Sequence, residues 1–521
     1  MNCKCTFLLF TAVAAALLSS CSGVKNPCTT DCGGSGNANV TVTIFDTPPA
    51  GTTVLSFTLP IVGITLTPSS GSQVSIYEPT VLQPTEVTRL QTDSTLLVSA
   101  ASVPSGTYTA LNITIATTSG TFINASGASI SYSLNGSTTN CGNLRVCNLP
   151  ASAATTVAVP INLTLNANQF QWIGIDVNLN NAILSTSGIS VDFTQPNVFT
   201  ATTTPRTGLP TGAVDTIEDF TGQVTAVNNS SITIQNSITG QSLTATLVTG
   251  ASSNTQFSVA PSTYSGCNTS DPTTCLLVGG IVSMNANLAS NGTLTATQID
   301  GLDVTPRDEI EGIIYPASVT PGQVGLILLD KTSASGNSVL SASTTTFGTP
   351  FYLDATSNNV TYNVDSGPLT NSGFSTVGFS GVGSLLAGQR VRVQVANVGV
   401  VNNVNTATAV NVLLRWSRVS ATVNSIAGNA FTLTDIPVYM SSMTNGLNPG
   451  VPVNPQVNSY PGYTAFDGVT GTTDSNFQVG TSLALRALFL DTGSGAQYSF
   501  QADKIRVPQN FSTSSATHEK N

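Results

Sequence analysis

Carboxylates are the residues of this chain whose types and spacing most invite chemistry. Two acidic groups stand out: Asp215, Glu218 and Asp219, then Asp300, Asp303, Asp308, Glu309 and Glu311. Two carboxylates across a cleft suffice for glycoside hydrolysis, and hard oxygen ligands gathered at a bend could hold Ca2+. Both groups fall at seams between patterned segments, and neither has EF-hand or Asp-rich nonapeptide spacing. Solvated linker charge is the plain expectation, with calcium at Asp300, Asp303, Asp308, Glu309 and Glu311 as the metal alternative. Imidazole chemistry has little to draw on, since the sole histidine is His518 in the C-terminal tail. Ser-His-Asp and Cys-His sites need that imidazole held in place. There is no Gly-x-Ser-x-Gly elbow, no Walker loop with its Lys and no His-Glu-x-x-His. The expectation is a chain without a catalytic site.

Nine cysteines come next. Lys4, an apolar run from Phe7 to Leu18 and small residues before Cys21 have the three regions of a secretory signal. The run is too short to span a bilayer, which takes about 20 residues. Leu17-Leu18-Ser19-Ser20-Cys21 resembles the lipobox of bacterial lipoproteins. That resemblance implies that Cys21 becomes the acylated first residue, anchored in a membrane by lipid at the outer membrane or cell surface. Cys3 and Cys5 then leave with the signal. The remaining six fall as near neighbours, Cys28 with Cys32, Cys141 with Cys147 and Cys267 with Cys275. Three local disulfides are the economical pairing outside the cytoplasm, although spacing leaves other pairings open. Thiolate zinc is a weaker reading, because these spacings match no zinc signature.

Charge is scarce. The 15 Lys and Arg against 25 Asp and Glu leave a net charge of -10, and only 8% of residues are charged. Clustered positive charge, the basis of phosphate-backbone binding, is missing, so no nucleic-acid partner is expected. Arg390 and Arg392 share a strand face and could pair with acids of a neighbouring repeat or form a small anion patch; pairing is the favoured reading. Trp172 and Trp416 are the aromatics that could contact a glycan or another partner. Trp416 ends a half-buried strand, and a core or interface place is the expected one for it.

The elements that must position these residues are strands. Thr and Val suit pleated surfaces and Asn, Gly and Ser the turns between them. Beyond the signal, no long stretch pairs helix formers with a 3.6-residue apolar period. Residues 1–20 read as signal peptide and 21–38 as a flexible tether. From 39 to 198, Val40, Val42 and Ile44 alternate with Thr41, Thr43 and Phe45, and further short strands follow, as two packed antiparallel sheets require. Val42-Thr-Ile-Phe-Asp-Thr-Pro-Pro49 and Val103-Pro-Ser-Gly-Thr-Tyr108 resemble an uncharacterised domain common in bacterial surface lipoproteins. The resemblance implies a prealbumin-like or related β-sandwich and supplies no chemistry. Residues 199–217 read as a linker.

Repetition organises the rest. A layout of Gly-x-Val, Ile-Thr-Ile, Thr-x-Phe, Gly-x-x-Val and a closing strand starts near 219, 309 and 418. It predicts barrel-like repeats at 218–305, 306–416 and 417–507, followed by a disordered tail at 508–521. Five or six strands per unit suit a compact barrel with few open edges. The layout resembles a second uncharacterised domain found, often in tandem, in bacterial exported proteins. The sequence therefore predicts an all-β chain, an N-terminal antiparallel β-sandwich followed by three tandem small β-barrel-like repeats. It would be a rod with a structural, adhesive or assembly role. Binding of surface glycans or other envelope proteins is the second reading, and a glycan-active enzyme the third.

Overall fold

In the computed structural model, the described residues are 36–46, 54–80, 83–124, 126–143, 145–184, 189–206, 208–236, 240–248, 255–259, 272–274, 276–302, 307–315, 323–334, 338–340, 347–357, 359–401, 404–437, 440, 454–491 and 498–507. The signal, the tether up to residue 35, Cys21, Cys28, Cys32, Cys267, Cys275, Asp303 and the tail with His518 lie outside them, while Asn37 and Ala38, expected in the tether, already belong to the first strand. Among the described residues, no helix is long and apolar enough to cross a membrane.

The N-terminal module packs one sheet on another. One sheet runs Phe199–Thr202, Phe170–Val177, Asn37–Asp46, Thr95–Pro104, and the other runs Val146–Asn148, Ser119–Ile123, Val54–Pro68, Gly106–Ile115, Thr155–Leu165. Val40, Val42 and Ile44 meet Phe57, Leu59, Leu111 and Ile113 in the core between them. Two details depart from the sequence expectation. Asn37–Asp46 pairs parallel with Phe170–Val177, so the sandwich is not wholly antiparallel. Phe199–Thr202, read as linker, completes the first sheet against Phe170–Val177, because Phe199 has an apolar place in the core.

Three barrels of one topology follow. Their strands are Ala213–Asn228, Ser231–Gln235, Ser242–Leu247, Gln256–Val259, Ile281–Ala289 and Leu294–Gly301 in the first. The second has Glu309–Tyr315, Gln323–Thr332, Pro350–Asp354, Thr361–Val364, Arg390–Val401 and Val404–Arg415. The third has Ser417–Ala427, Ala430–Thr434, Gln456–Ser459, Ala465–Asp467, Ser482–Asp491 and Tyr498–Arg506. In each, the order is third, second, first, fifth, sixth, and a parallel third–sixth contact closes the ring. That is the Greek-key order of the five-stranded OB barrel. The fourth strand adds to it, lying parallel on the sixth where the third ends.

Alternation fills each barrel. Ser242–Leu247 shows the period-2 pattern outright, with Leu243, Ala245 and Leu247 inside and their neighbours out. The same turn enters the fifth strand three times. Gly279, Gly388 and Gly480 have φ of 91°, 86° and 90°. Each donates its N–H to the first strand of its barrel, at the carbonyls of Val224, Ile314 and Val423, at 2.8 Å. Positive φ is glycine's region, which explains the recurring glycine.

The modules do not form a rod. Leu55 and Ile123 of the sandwich and Tyr315, Ile327 and Leu329 of the second barrel share one apolar cluster with the core of the third barrel. The four modules close around a common centre, because their outer strand faces are themselves buried.

Candidate functional site

That centre is built from charge. The first strand of the first barrel slips register against the fifth between Ile217 and Phe220, and Asp219 sits in the slip at φ 52°. A bulge re-aims its side chain, and the Asp219 N–H is held by Asn285 Oδ1 at 2.8 Å. The re-aimed carboxylate accepts from three arginines: Arg415 at 2.5 Å, Arg418 at 2.6 Å and Arg390 at 3.1 Å. Arg390 and Arg415 face each other across the fifth and sixth strands of the second barrel. Arg418 comes from the first strand of the third.

Neighbouring acids complete the hub. Asp93 of the sandwich takes Arg418 at 2.6 Å, Lys504 at 3.3 Å and Arg486 at 3.6 Å, all from the third barrel. Glu218 meets Arg486 and, at 3.4 Å, Lys504, and Arg486 also grips Asp503. Arg415 reaches Asp300 at 2.8 Å and Asp365 at 2.7 Å, while the Gln298 amide donates to both of those acids. Asp215 ties the sandwich to the first barrel, accepting from Thr43, Ser94 and Arg206 at 2.6, 2.9 and 2.7 Å.

Burial and countercharge set the titration of these groups. For Asp219 and Asp93, burial favours the neutral acid, but their arginines outweigh it and hold both far below the usual carboxylate range. For Asp300, burial prevails over Arg415 and the carboxyl is raised. Asp365 goes higher still, because burial is reinforced by the Asp300 charge beside it. Burial likewise raises Glu309 against the pull of Arg392.

The described acids expected to lie in solvated linkers are thus buried, Asp215, Glu218, Asp219 and Asp300 at module interfaces and Asp308 and Glu309 within the second barrel. Of the proposed calcium ligands, Asp303 lies outside the described residues and the other four have separate partners. Asp300 belongs to Arg415, Glu309 to Arg392 and Glu311 to Arg390. Asp308 instead accepts the Val339, Ala334 and Leu340 N–H groups at 2.5, 2.7 and 3.0 Å. Among the described residues no three His, Cys, Asp or Glu gather around a common point. Guanidinium groups stand where the cation was expected. Trp172 and Trp416 are 2% and 0% exposed, so neither is a contact aromatic. Trp172 donates its indole N–H to Thr43, and Trp416 lies under the Arg486 guanidinium, 5.6 Å from its ring centre. Cys141 and Cys147 form a disulfide. Arg390 reaches Asp219 of the neighbouring repeat, as favoured from sequence, whereas Arg392 pairs within its own barrel.

The sequence held a signal for this site. In a chain so poor in charge, Glu309-x-Glu311, Arg390-x-Arg392 and Lys504-x-Arg506 place like charges two residues apart within strands. A strand face carrying two charges among apolar neighbours marks a surface that another module covers. Asp93 and Asp365 carried no such mark, standing alone in unpatterned segments.

The comparisons add little chemistry. Residues 37–191 match the model of a domain of unknown function (DUF4382). The match covers the sandwich and stops short of the barrels. No curated protein matches the chain. A solved structure of Drosophila Unr, CSD456, is similar over 56% of this chain and 98% of its own, at 10% identity. Its TM-score of 0.11 is too low to carry an argument. The chain is therefore an all-β protein, a DUF4382-like sandwich followed by three similar barrels.

Proposed function

We propose that this chain is a non-enzymatic, lipid-anchored protein of the bacterial surface whose four modules act as one rigid adhesive or structural block. The observation that carries the reading is the Asp219 carboxylate, which binds arginines of two other modules at once. Burying so much charge is costly unless each group is paired in a fixed geometry, and that geometry holds only while the modules stay docked. A rigid block suits a protein that bears load or presents a fixed surface, and Asp215, Glu218, Asp219, Asp300, Glu309 and Glu311 are each engaged by an arginine. The lipobox-like Leu17–Cys21 segment supports export and anchoring, and the Cys141–Cys147 bond suits an oxidising compartment. Mass spectrometry of the protein purified from membranes tests this. A mature chain beginning at an acylated Cys21 is expected; a soluble chain still carrying Met1 to Ser20 would overturn it.

A further inference from the structure

A cavity of about 300 Å³ opens beside the hub, where the segment around Gly208 crosses the third barrel. Two other cavities of the molecule hold about 60 and 40 Å³. Its walls come from three modules and from that connecting segment, so it exists only in the docked assembly. Gly208 makes the crossing close. A Cβ there would lie 2.3 Å from the Phe466 carbonyl oxygen, and its φ is 82°.

Three properties of the wall define an occupant. Its charges cancel: Arg206, Arg486 and Lys504 stand against Glu218, Asp467 and Asp503, three of each sign. A charged ligand would therefore gain nothing from the wall as a whole. Second, uncharged polar groups remain, since Thr216, Asn287 and Thr297 line the wall half-buried. Arg206 keeps one nitrogen on Asp215, while its Nε and Nη1 are buried with no hydrogen-bond partner among the described residues. That side chain is 9% exposed and is held over the Phe45 ring at 5.1 Å. Those two nitrogens are closed off from the cavity as well as from water, and Nη2 is taken by Asp215 and Ser94, so Arg206 shapes the wall without offering an occupant a hydrogen bond.

Third, an exposed aromatic ring lines the cavity. Tyr463 is 41% exposed, yet it rides on a tightly determined turn. Its N–H and that of Thr464 both return to the Tyr460 carbonyl, at 2.9 and 2.8 Å. The Thr464 hydroxyl is fixed to the Ala502 carbonyl at 2.6 Å. An exposed ring on a rigid turn loses little freedom when something stacks on it.

We propose that this cavity binds one neutral pyranose unit of a glycan, its apolar face on Tyr463 and its hydroxyls bonded to the Asn287 amide. A pyranose joins an apolar face to hydroxyls that both donate and accept, which suits a charge-balanced wall carrying an exposed aromatic ring and uncharged polar groups. The volume, at the small end for ligand pockets, admits a single ring rather than a chain. This deepens the adhesive reading and rests on it only for the chain's meeting glycans outside the cell.

Titration calorimetry on the full chain tests it, with methyl glycosides of glucose, galactose, mannose and N-acetylglucosamine, and with glucuronate for comparison. At least one neutral glycoside should bind one to one. Tyr463→Ala should weaken it tenfold or more with the melting temperature unchanged, and Asn287→Ala should weaken it several-fold. Absence of binding by all four neutral sugars, tighter binding of glucuronate, or unchanged affinity in Tyr463→Ala would overturn the proposal. A chain that binds the sugar but lacks lipid on Cys21 would leave the cavity standing and remove the surface anchor. An acylated chain that binds none would do the reverse.

Discussion

At the scale of single residues, position in the hub decides whether an acid helps or harms. Asp219 is the one carboxylate that three buried guanidinium groups share, although each has a further acid, Glu311 for Arg390, Asp300 and Asp365 for Arg415, and Asp93 for Arg418. Asp219→Asn should therefore lower stability by about 3–5 kcal/mol, the usual cost of breaking a buried pair, seen as a lower chemical-denaturation midpoint. Asp365 is the opposite case, sharing Arg415 with Asp300 under heavy burial. Its raised folded pKa means that ionisation is disfavoured in the folded protein, so its contribution is present below the ordinary carboxylate range and is lost as pH rises. Asp365→Asn keeps an acceptor for Arg415 and removes that loss. It should leave stability unchanged or increased at pH 7, with the gain vanishing near pH 4; thermal melts of both proteins at the two pH values check the sign. No residue pattern distinguished the two acids, since their difference lies in how many arginines reach each one.

At the scale of elements, the recurring glycine before the fifth strand separates backbone strain from packing. Gly480 has open space where a Cβ would stand, whereas a Cβ on Gly388 would lie 2.4 Å from the Met440 methyl. Both have the same left-handed conformation. Gly480→Ala should cost about 1–2 kcal/mol from strain alone, and Gly388→Ala should cost about 1–3 kcal/mol more from overpacking, both read from denaturation midpoints. Much of this level was legible beforehand. Gly-x-x-Val and the closing strand after it were read as a repeated pair, and they form the antiparallel fifth–sixth ladder in all three barrels. The local alternation of Ser242–Leu247 depends only on which side of a strand faces the barrel axis. The parallel partner of Asn37–Asp46 was not legible, because it lies more than a hundred residues away, at Phe170–Val177.

At the scale of the whole molecule, the hub makes stability depend on pH in two opposed ways. Asp93 and Asp219 have depressed pKa values, so their contribution is present above the ordinary carboxylate range and is lost as acid begins to protonate them. Asp46, Asp300, Asp365 and Glu309 are raised by burial, so their cost grows as pH rises through their folded values. Melting temperature should thus peak between the ordinary carboxylate range and neutrality, falling steeply on further acidification. Screening by salt is weak for buried pairs, so 1 M NaCl should change that melting temperature little. A rod of independent modules would instead melt in several steps, and calorimetry should find the barrels melting together.

The residue order alone determined the all-β class, the threefold repeat and the sandwich ahead of it, because turn chemistry and period-2 alternation act over a few neighbours. It also placed Cys141 beside Cys147 within reach of a bond. The tertiary structure alone decided what the charges are for. Whether Asp219, Asp300 or Arg415 meets water or another module depends on how the outer strand faces dock, and that docking joins residues as far apart as Asp93 and Lys504. Coulomb attraction and desolvation act through space across such distances in sequence, and no local pattern records the result.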